Sequence, residues 1–520
     1  MNRSLSASGR ATVQFLRRHF VLFAIAACYL YCFPYFAKLR HANELPRILT
    51  TLELAEHGSF RLDSRLDELG SRADISTTPS GAHYQNKAPG LSLLALPVYY
   101  PLHLAYRAAG LRPPMMLSTW IFRSLVITVP ALAFLGAFRR VAARFTSDET
   151  AQNAALVAYA LGSMVLPFGI LFMSHVLATV LVGFAFAVAF SATREQRYRE
   201  PRAALGVGAL LGLSMLVEYQ ALFAALLIAG YFVWGAERRL RTLLLISVAV
   251  LPFIGGLAAY HAAAFGSPLR TGYAYSVDPT NRVGILGIVG PSQESLAQLF
   301  VRVSNGLLLL SPWVVLSLAG LVRIARDSEA RARVGREAVL AGLVMLVYVG
   351  FVASLHPSFG RAGWSVGPRY VMIAMPFVAW LSAAGLDLCL RYTPLRVPAL
   401  AFVLTGVAIH VLATTTYPHW PSEFENPLYE ISLRLLKEGH APHSLGTLVG
   451  LRGTLSLLPL YLGVSALVLY LLASTRKYLL ELGLAVLLAG FAVARYDRLG
   501  VTPPHAGNAT RDFVLSTLEP

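Results

Sequence analysis

The sequence predicts an all-α polytopic membrane protein, and two observations carry that reading. Hydrophobic residues make up 56% of the 520 and charged residues only 14%, against about 25% charged in ordinary soluble domains. The apolar residues gather in runs that approach the roughly 20 needed to cross a bilayer as a helix. Such runs lie near 19–37, 116–138, 152–168, 172–192, 204–218, 220–235, 242–263, 304–322, 338–355, 369–388, 397–415, 454–473 and 478–494, which makes about thirteen crossings. No soluble module or internal repeat interrupts them. The chain reads as one membrane domain over 1–495 with a short tail over 496–520.

Charge sets the topology and excludes one class of partner. The net charge is +17, but the arginines fall in short clusters between apolar runs, as the positive-inside rule predicts, and no nucleic-acid surface is implied. The first run, 19–37, lacks a small-residue cleavage site and is expected to stay as the first membrane helix. The segment 91–107 is apolar too, but Pro97 and Pro101 interrupt it and His103 and Arg107 punctuate it. If it does not cross, the clusters Arg139/Arg140/Arg144, Arg194/Arg197/Arg199/Arg202, Arg238/Arg239/Arg241, Arg323/Arg326/Arg331/Arg333/Arg336 and Arg391/Arg396 all fall on the cytoplasmic side. A crossing there would send every one of them outward, against the usual bias. The segment therefore reads as a re-entrant or surface-lying helix.

With that topology the long loops 38–115, 264–303, 356–368 and 416–453 share the extracytoplasmic face of a plasma (inner) membrane protein. The first loop is the richest in chemistry. A helix is expected from Leu45 to His57, capped by Asn43, with Pro46 in its first turn and Gly58 as its stop. Around it stand Glu44, Arg47, Asp74, Tyr84 and Lys87. The third loop brings Arg361, Trp364, Arg369 and Tyr370 among glycines. Cys28, Cys32 and Cys389 lie in or beside apolar runs and read as packing residues, forming neither a disulfide framework nor a metal motif.

The order acid, two residues, arginine (Glu44, Arg47), helix ending at Gly58, polar stretch, Tyr84, Lys87, Pro89, apolar helix resembles the first loop of GT-C membrane glycosyltransferases. It looks most like the protein O-mannosyltransferases of glycosyltransferase family 39 and the aminoarabinose transferases of lipid A. The resemblance implies a GT-C fold with juxtamembrane helices in the first loop. It also implies an inverting transfer of sugar from a polyprenyl-phosphate carrier to a lipid, glycan or protein acceptor. In those enzymes the loop acid lies three residues before an arginine, the place Glu44 takes before Arg47. Their Tyr-x-x-Lys-Pro-Pro segment, whose lysine meets the carrier phosphate, corresponds to 84–89, with Lys87 matching the lysine and Ala88 replacing a proline. Two departures stand out. The acid is Glu where the relatives carry Asp, and 167–175 has no second carboxylate. The second departure argues against a carboxylate-held divalent metal, and no other cofactor is implied.

Sugar transfer from a phosphate needs a base for the acceptor hydroxyl and cations for the departing phosphate. Glu44 is the expected base, and Glu44→Gln is expected to abolish transfer without harming the fold. Lys87, Arg361 and Arg369 are the expected phosphate ligands, with Arg47, Tyr84, Tyr370, Asp74 and His175 as further substrate contacts. Each has a plainer reading. Glu44 also suits a helix N-terminus, Lys87 and Arg369 also suit membrane-interface anchors, and Asp74 suits a turn. Arg123, His175, Glu218 and His261 are ionisable residues within or at the ends of apolar runs, which places them at a cavity or in pairs; Arg123 with Glu218 is one such pair. His175 has no second ligand at helical spacing. A transporter or flippase of lipid-linked sugars is the rival function, disfavoured because the long polar loops serve one face only. An inactive scaffold subunit is the second rival.

Overall fold

The computed structural model describes the chain apart from residues 1–6, 33–40, 70–73, 196–199, 361–363, 475–478, 501, 503–507, 510–511, 513 and 517–520, and apart from the side chains of 7–18, 359–360, 469 and 471–474. It is built of helices, with one short antiparallel hairpin among the described residues. Eight helices are long and apolar enough to cross a membrane, and three shorter apolar ones join them at His19–Tyr31, Ala221–Gly235 and Gly453–Val468. Two of the expected crossings are broken. The run 152–168 divides into α-helix Glu149–Ala160 and the turn Val165–Phe168, and 304–322 divides at Ser311 and Pro312 before Leu316–Arg326. Pro312 has no N–H to continue a helix, and the run breaks there.

In chain order the elements that matter for the site begin with α1 (Ala7–Tyr31), α2 (Leu45–His57), the hairpin β1 (Ile75–Thr77) and β2 (His83–Gln85), and α3 (Gly90–Ala108). They continue with α4 (Met115–Phe145), α5 (Glu149–Ala160), α6 (Ser174–Arg194), α7 (Glu200–Val217), α8 (Ala221–Gly235) and α9 (Arg239–Phe265). The last are α10 (Gln293–Val301), α11 (Leu316–Arg326), α12 (Ser328–Ala353), α13 (Met375–Arg391) and α14 (Thr393–Thr414). The centre is the run Arg369–Arg391, whose apolar window is 94% buried by other helices, whereas that of α9 is 11% buried. A helix apolar on every side belongs in a core or against lipid, so α13 is the hub and α9 a lipid-facing staff.

The α2 bounds match those read from the sequence, and Gly58 ends the helix in the left-handed conformation at φ 65°. The cap differs. Glu44 holds the N-cap position with no side-chain cap bond, because the Asn43 side chain is engaged elsewhere. The α3 helix runs alongside α2. Thr51 Oγ1 donates to the Ser92 carbonyl at 3.3 Å and Tyr99 Oη to Glu56 Oε1 at 3.1 Å, contacts that advance together along both helices. Its start packs on the end of α7 so closely that a Cβ on Gly90 would collide with the Leu216 carbonyl. Helices of the bundle that enter the α2 end carry arginines at their opposite ends: Arg139, Arg140 and Arg144 on α4, Arg194 on α6, Arg391 on α13.

Candidate active site

The first group at this end is built on Glu44. A wide π-helical turn, Phe122–Thr128, interrupts α4, a distortion that recurs at functional positions. It sets Arg123 against Glu44: Arg123 Nε donates to Oε1 at 2.7 Å and Nη2 to Oε2 at 2.8 Å. The Phe172 backbone N–H adds a third bond to Oε1 at 2.7 Å, and the carboxylate is wholly buried. Burial works to raise the Glu44 pKa, but the charge and hydrogen bonds of Arg123 outweigh it and hold the acid below its ordinary value. A general base needs a lone pair open to the acceptor's proton. Both Glu44 oxygens face Arg123, so the geometry gives the expected base a bracing role, tying α2 to α4 and to the 167–175 turn. Arg123 thus pairs with Glu44 rather than with Glu218.

Beside this brace lies a second, more open group. The hairpin presents Asp74 and Lys87 to each other, Nζ to Oδ2 at 3.6 Å, and Asn43 Nδ2 donates to the same oxygen at 3.0 Å. Asp74 keeps 23% of its side chain exposed. Burial pushes its pKa up, yet Lys87, then Arg369 and the Asn43 bond, bring it below the ordinary value. Lys87 lies over the Tyr273 ring at 4.7 Å from the centroid and approaches its hydroxyl at 3.4 Å. Burial works against its charge, but Asp74 and Tyr273 more than offset that and raise its pKa. Arg369 opens a 3-10 turn before α13 and stands 5.4 Å from the Tyr370 ring centroid. It is buried, and its Nε has no hydrogen-bond partner.

The floor is made where α6 and α7 meet. Arg47 Nη2 donates to Ser174 Oγ at 3.0 Å, and Ser174 Oγ donates to Glu218 Oε2 at 2.5 Å. Arg47 is further held by the Asn43 carbonyl at 2.6 Å and by Asn43 Oδ1. His175 sits between Phe168 and Tyr370, its Nε2 4.0 Å from Glu218 Oε2, with neither ring nitrogen hydrogen-bonded. On the Glu44 side, His41 Nε2 donates to the Trp364 carbonyl at 3.0 Å, its Nδ1 accepts the Asn43 N–H, and its ring lies 4.1 Å from that of His419, tilted by 30°. Burial pushes His41 down to about 4 and His419 well below its ordinary value.

The structure therefore gathers Arg47, Asp74, Lys87, His175, Arg369 and Tyr370 with Glu44 close by. It does not bring in Tyr84. Alternation along β2 turns that ring to an aromatic group with Phe265, 5.7 Å away, backed by Phe60, Tyr260 and Tyr275. Arg361 lies outside the described residues. Tyr273, Ser174, His41 and Asn43 are site residues that motif reading missed. Tyr273 gave a signal, an aromatic in the Gly/Pro-rich turn after α9, but nothing local paired it with Lys87. His261 hydrogen-bonds Tyr219 Oη at 2.9 Å, behind Tyr273. Among the described residues no three His, Cys, Asp or Glu side chains form a set that could hold a metal ion.

No protein-family profile matches the chain, and no curated protein does. Among solved structures it is similar to ArnT from Cupriavidus metallidurans in the apo state, with 17% identity and a TM-score of 0.48 over 96% of this chain and 79% of that one. It is similar also to ArnT from Cupriavidus metallidurans bound to undecaprenyl phosphate, with 15% identity and a TM-score of 0.48 over 94% and 78%. A third likeness is to the archaeal oligosaccharyltransferase AglB from Archaeoglobus fulgidus in complex with an inhibitory peptide and a dolichol-phosphate. It has 12% identity and a TM-score of 0.45 over 98% of this chain and 60% of that one.

Proposed function

We propose that this protein is a membrane glycosyltransferase that takes a sugar from a polyprenyl-phosphate carrier and places it, with inversion, on a lipid, glycan or protein acceptor. Its site would face away from the cytoplasm of a plasma (inner) membrane, since the arginine-rich helix ends lie opposite it. The observation that carries the reading is the charge balance of the buried group. Among the described residues, four cations, Arg47, Lys87, Arg123 and Arg369, share this group with three carboxylates, Glu44, Asp74 and Glu218. An excess of buried positive charge calls for an anion. The cations nearest the more open side, Lys87 and Arg369, suit a phosphate.

In the reaction the acceptor hydroxyl oxygen attacks the anomeric carbon, the bond from that carbon to the carrier phosphate oxygen breaks, and the phosphate leaves with the electron pair. Lys87 and Arg369 stabilise that charge, and Tyr273 and Tyr370 orient them. The hydroxyl proton needs an acceptor, and the placement of Asp74 suits it better than that of Glu44. When a phosphate draws Lys87 toward itself, Asp74 loses the partner that depresses its pKa and gains basicity. The protein's own cations do the work a divalent metal would do, and chelation should leave turnover intact.

The test uses purified protein in nanodiscs with a polyprenyl-phosphate sugar. Lys87→Ala should raise the apparent KM for the donor, and Asp74→Asn should lower kcat by about 10²–10⁴ in the protein that remains folded. Turnover near the parent rate in Asp74→Asn would sink the base assignment. An unchanged donor KM in Lys87→Ala would place the phosphate elsewhere.

A further inference from the structure

The connection from α9 to α10 has two ends with different company. Its first part belongs to the site: Ser76 Oγ donates to the Gly272 carbonyl at 2.5 Å, and the Val277 N–H to the Ile75 carbonyl at 3.1 Å. From Val283 onward it leaves the site and folds into a tight hairpin, with Ile285 and Ile288 exchanging backbone bonds at 3.1 and 3.0 Å. The return arm is stitched to the end of α12. Val289 N–H donates to the Ser354 carbonyl at 2.8 Å, and His356 N–H to the Gly287 carbonyl at 2.9 Å.

These bonds fix where the hairpin sits. The α12 helix is one of those long and apolar enough to cross a membrane, and it ends at Ala353. A hairpin bonded to residues 354–356 lies at the level where that helix leaves the hydrocarbon. Its composition fits that level. Residues 283–290 contain only Val, Ile, Leu and Gly. Val283, Leu286 and Val289 are exposed, and Ile285 is 76% exposed. Leu286 has φ +57°, the one non-glycine residue with positive φ among those described, a conformation that disfavours a bulky side chain. Leu346, exposed two turns before the end of α12, extends an apolar face down the helix to which the hairpin is bonded, and exposed Arg282 flanks the tip as a headgroup partner.

We propose that the 283–289 hairpin is a membrane wedge, with Ile285 and Leu286 inserted among the lipid chains of the leaflet beside the site. A lipid surface is favoured over a protein partner because the hairpin is bonded to the end of a helix long and apolar enough to cross a membrane. The same segment reaches Tyr273, so the wedge anchors one wall of the site to the bilayer. The proposal stands whether or not the chain transfers sugar.

The full-length protein in phosphatidylcholine nanodiscs provides the test. Its native cysteines are buried, so Leu286→Cys labelled with an environment-sensitive fluorophore reports the tip, and Asp278→Cys in the same connection is the water-exposed control. The label at 286 should emit to the blue of the control, be quenched several-fold more by nitroxide carried high on the lipid chain, and resist aqueous iodide. Adding Ile285→Asp should restore iodide quenching. Water-like emission with iodide access at 286 overturns the proposal. So does protection from both iodide and lipid nitroxide, which would mean a protein covers the tip.

Discussion

At the scale of the residue, Glu44 shows how a candidate changes meaning when its neighbours are known. Its spacing to Arg47 marks it as catalytic, yet its charge is spent on Arg123. Removing one member of a buried ion pair costs about 3–5 kcal/mol, while replacing both with apolar groups is often near neutral. Glu44→Gln should therefore lower the unfolding temperature sharply, and Glu44→Gln with Arg123→Leu should recover most of the loss. A double-mutant cycle on thermal unfolding measures this, and additive losses would refute the pair. Turnover in the recovered double variant would confirm that Glu44 is no base. His41 carries a pH dependence of its own. Its pKa in the fold is about 4 against an ordinary 6.5, so as pH falls the unfolded chain takes the proton first. Stability is whole above about 6.5 and drains away toward about 4, by about 3 kcal/mol for this one group. The buried His419 acts in the same direction, whereas Glu44 and Asp74, held low, act only below the ordinary carboxylate range. Unfolding temperatures between pH 7.5 and 5 should fall, and His41→Gln should flatten the fall.

At the scale of the element, α2 and α3 form one unit, and its weak point is the contact between Gly90 and the Leu216 carbonyl. Gly90→Val puts a side chain where a backbone oxygen stands, which should displace α3 and cost about 1–3 kcal/mol. Denaturation midpoints would show it, with Gly206→Ala on α7 as a comparison where no atom stands in the way and the backbone is helical. Much of this unit was legible beforehand. Pro46, Gly58 and the prolines of α3 are local signals, and local signals survive folding. Asn43 looks like a cap in the sequence because its actual partners, Arg47 and Asp74, lie four and 31 residues further along the chain. The breaks at Gly162–Ser163 and Ser311–Pro312 hide inside apolar runs, since hydropathy counts carbon and ignores a missing N–H. Pairings such as Lys87 with Tyr273 and Glu44 with Arg123 join segments far apart in the chain, and no spacing rule reaches them.

At the scale of the whole molecule, polarity is divided between two ends with different jobs. The arginine-rich end closes on itself: Arg323 meets Asp387 at 2.6 Å, Arg391 joins the same carboxylate at 3.0 Å, and Arg194 meets Glu337 at 2.8 Å. Both of these carboxylates, Asp387 and Glu337, have their cations, and the group fastens helices. In the site group at the other end, four described cations share three carboxylates, and the proposed phosphate would supply the missing negative charge. An anion that binds only the folded form raises stability by RT ln(1 + [L]/Kd), about 2.7 kcal/mol at a hundredfold excess over Kd. Undecaprenyl phosphate added to the protein in nanodiscs should therefore raise its unfolding temperature, and the same lipid lacking the phosphate should not. Lys87→Ala and Arg369→Ala should each shrink the shift, whereas Arg391→Ala, at the closed end, should lower the starting temperature and leave the shift in place. Equal shifts from phosphorylated and unphosphorylated lipid would show that the chain's tail alone is recognised, and the charge argument would fall.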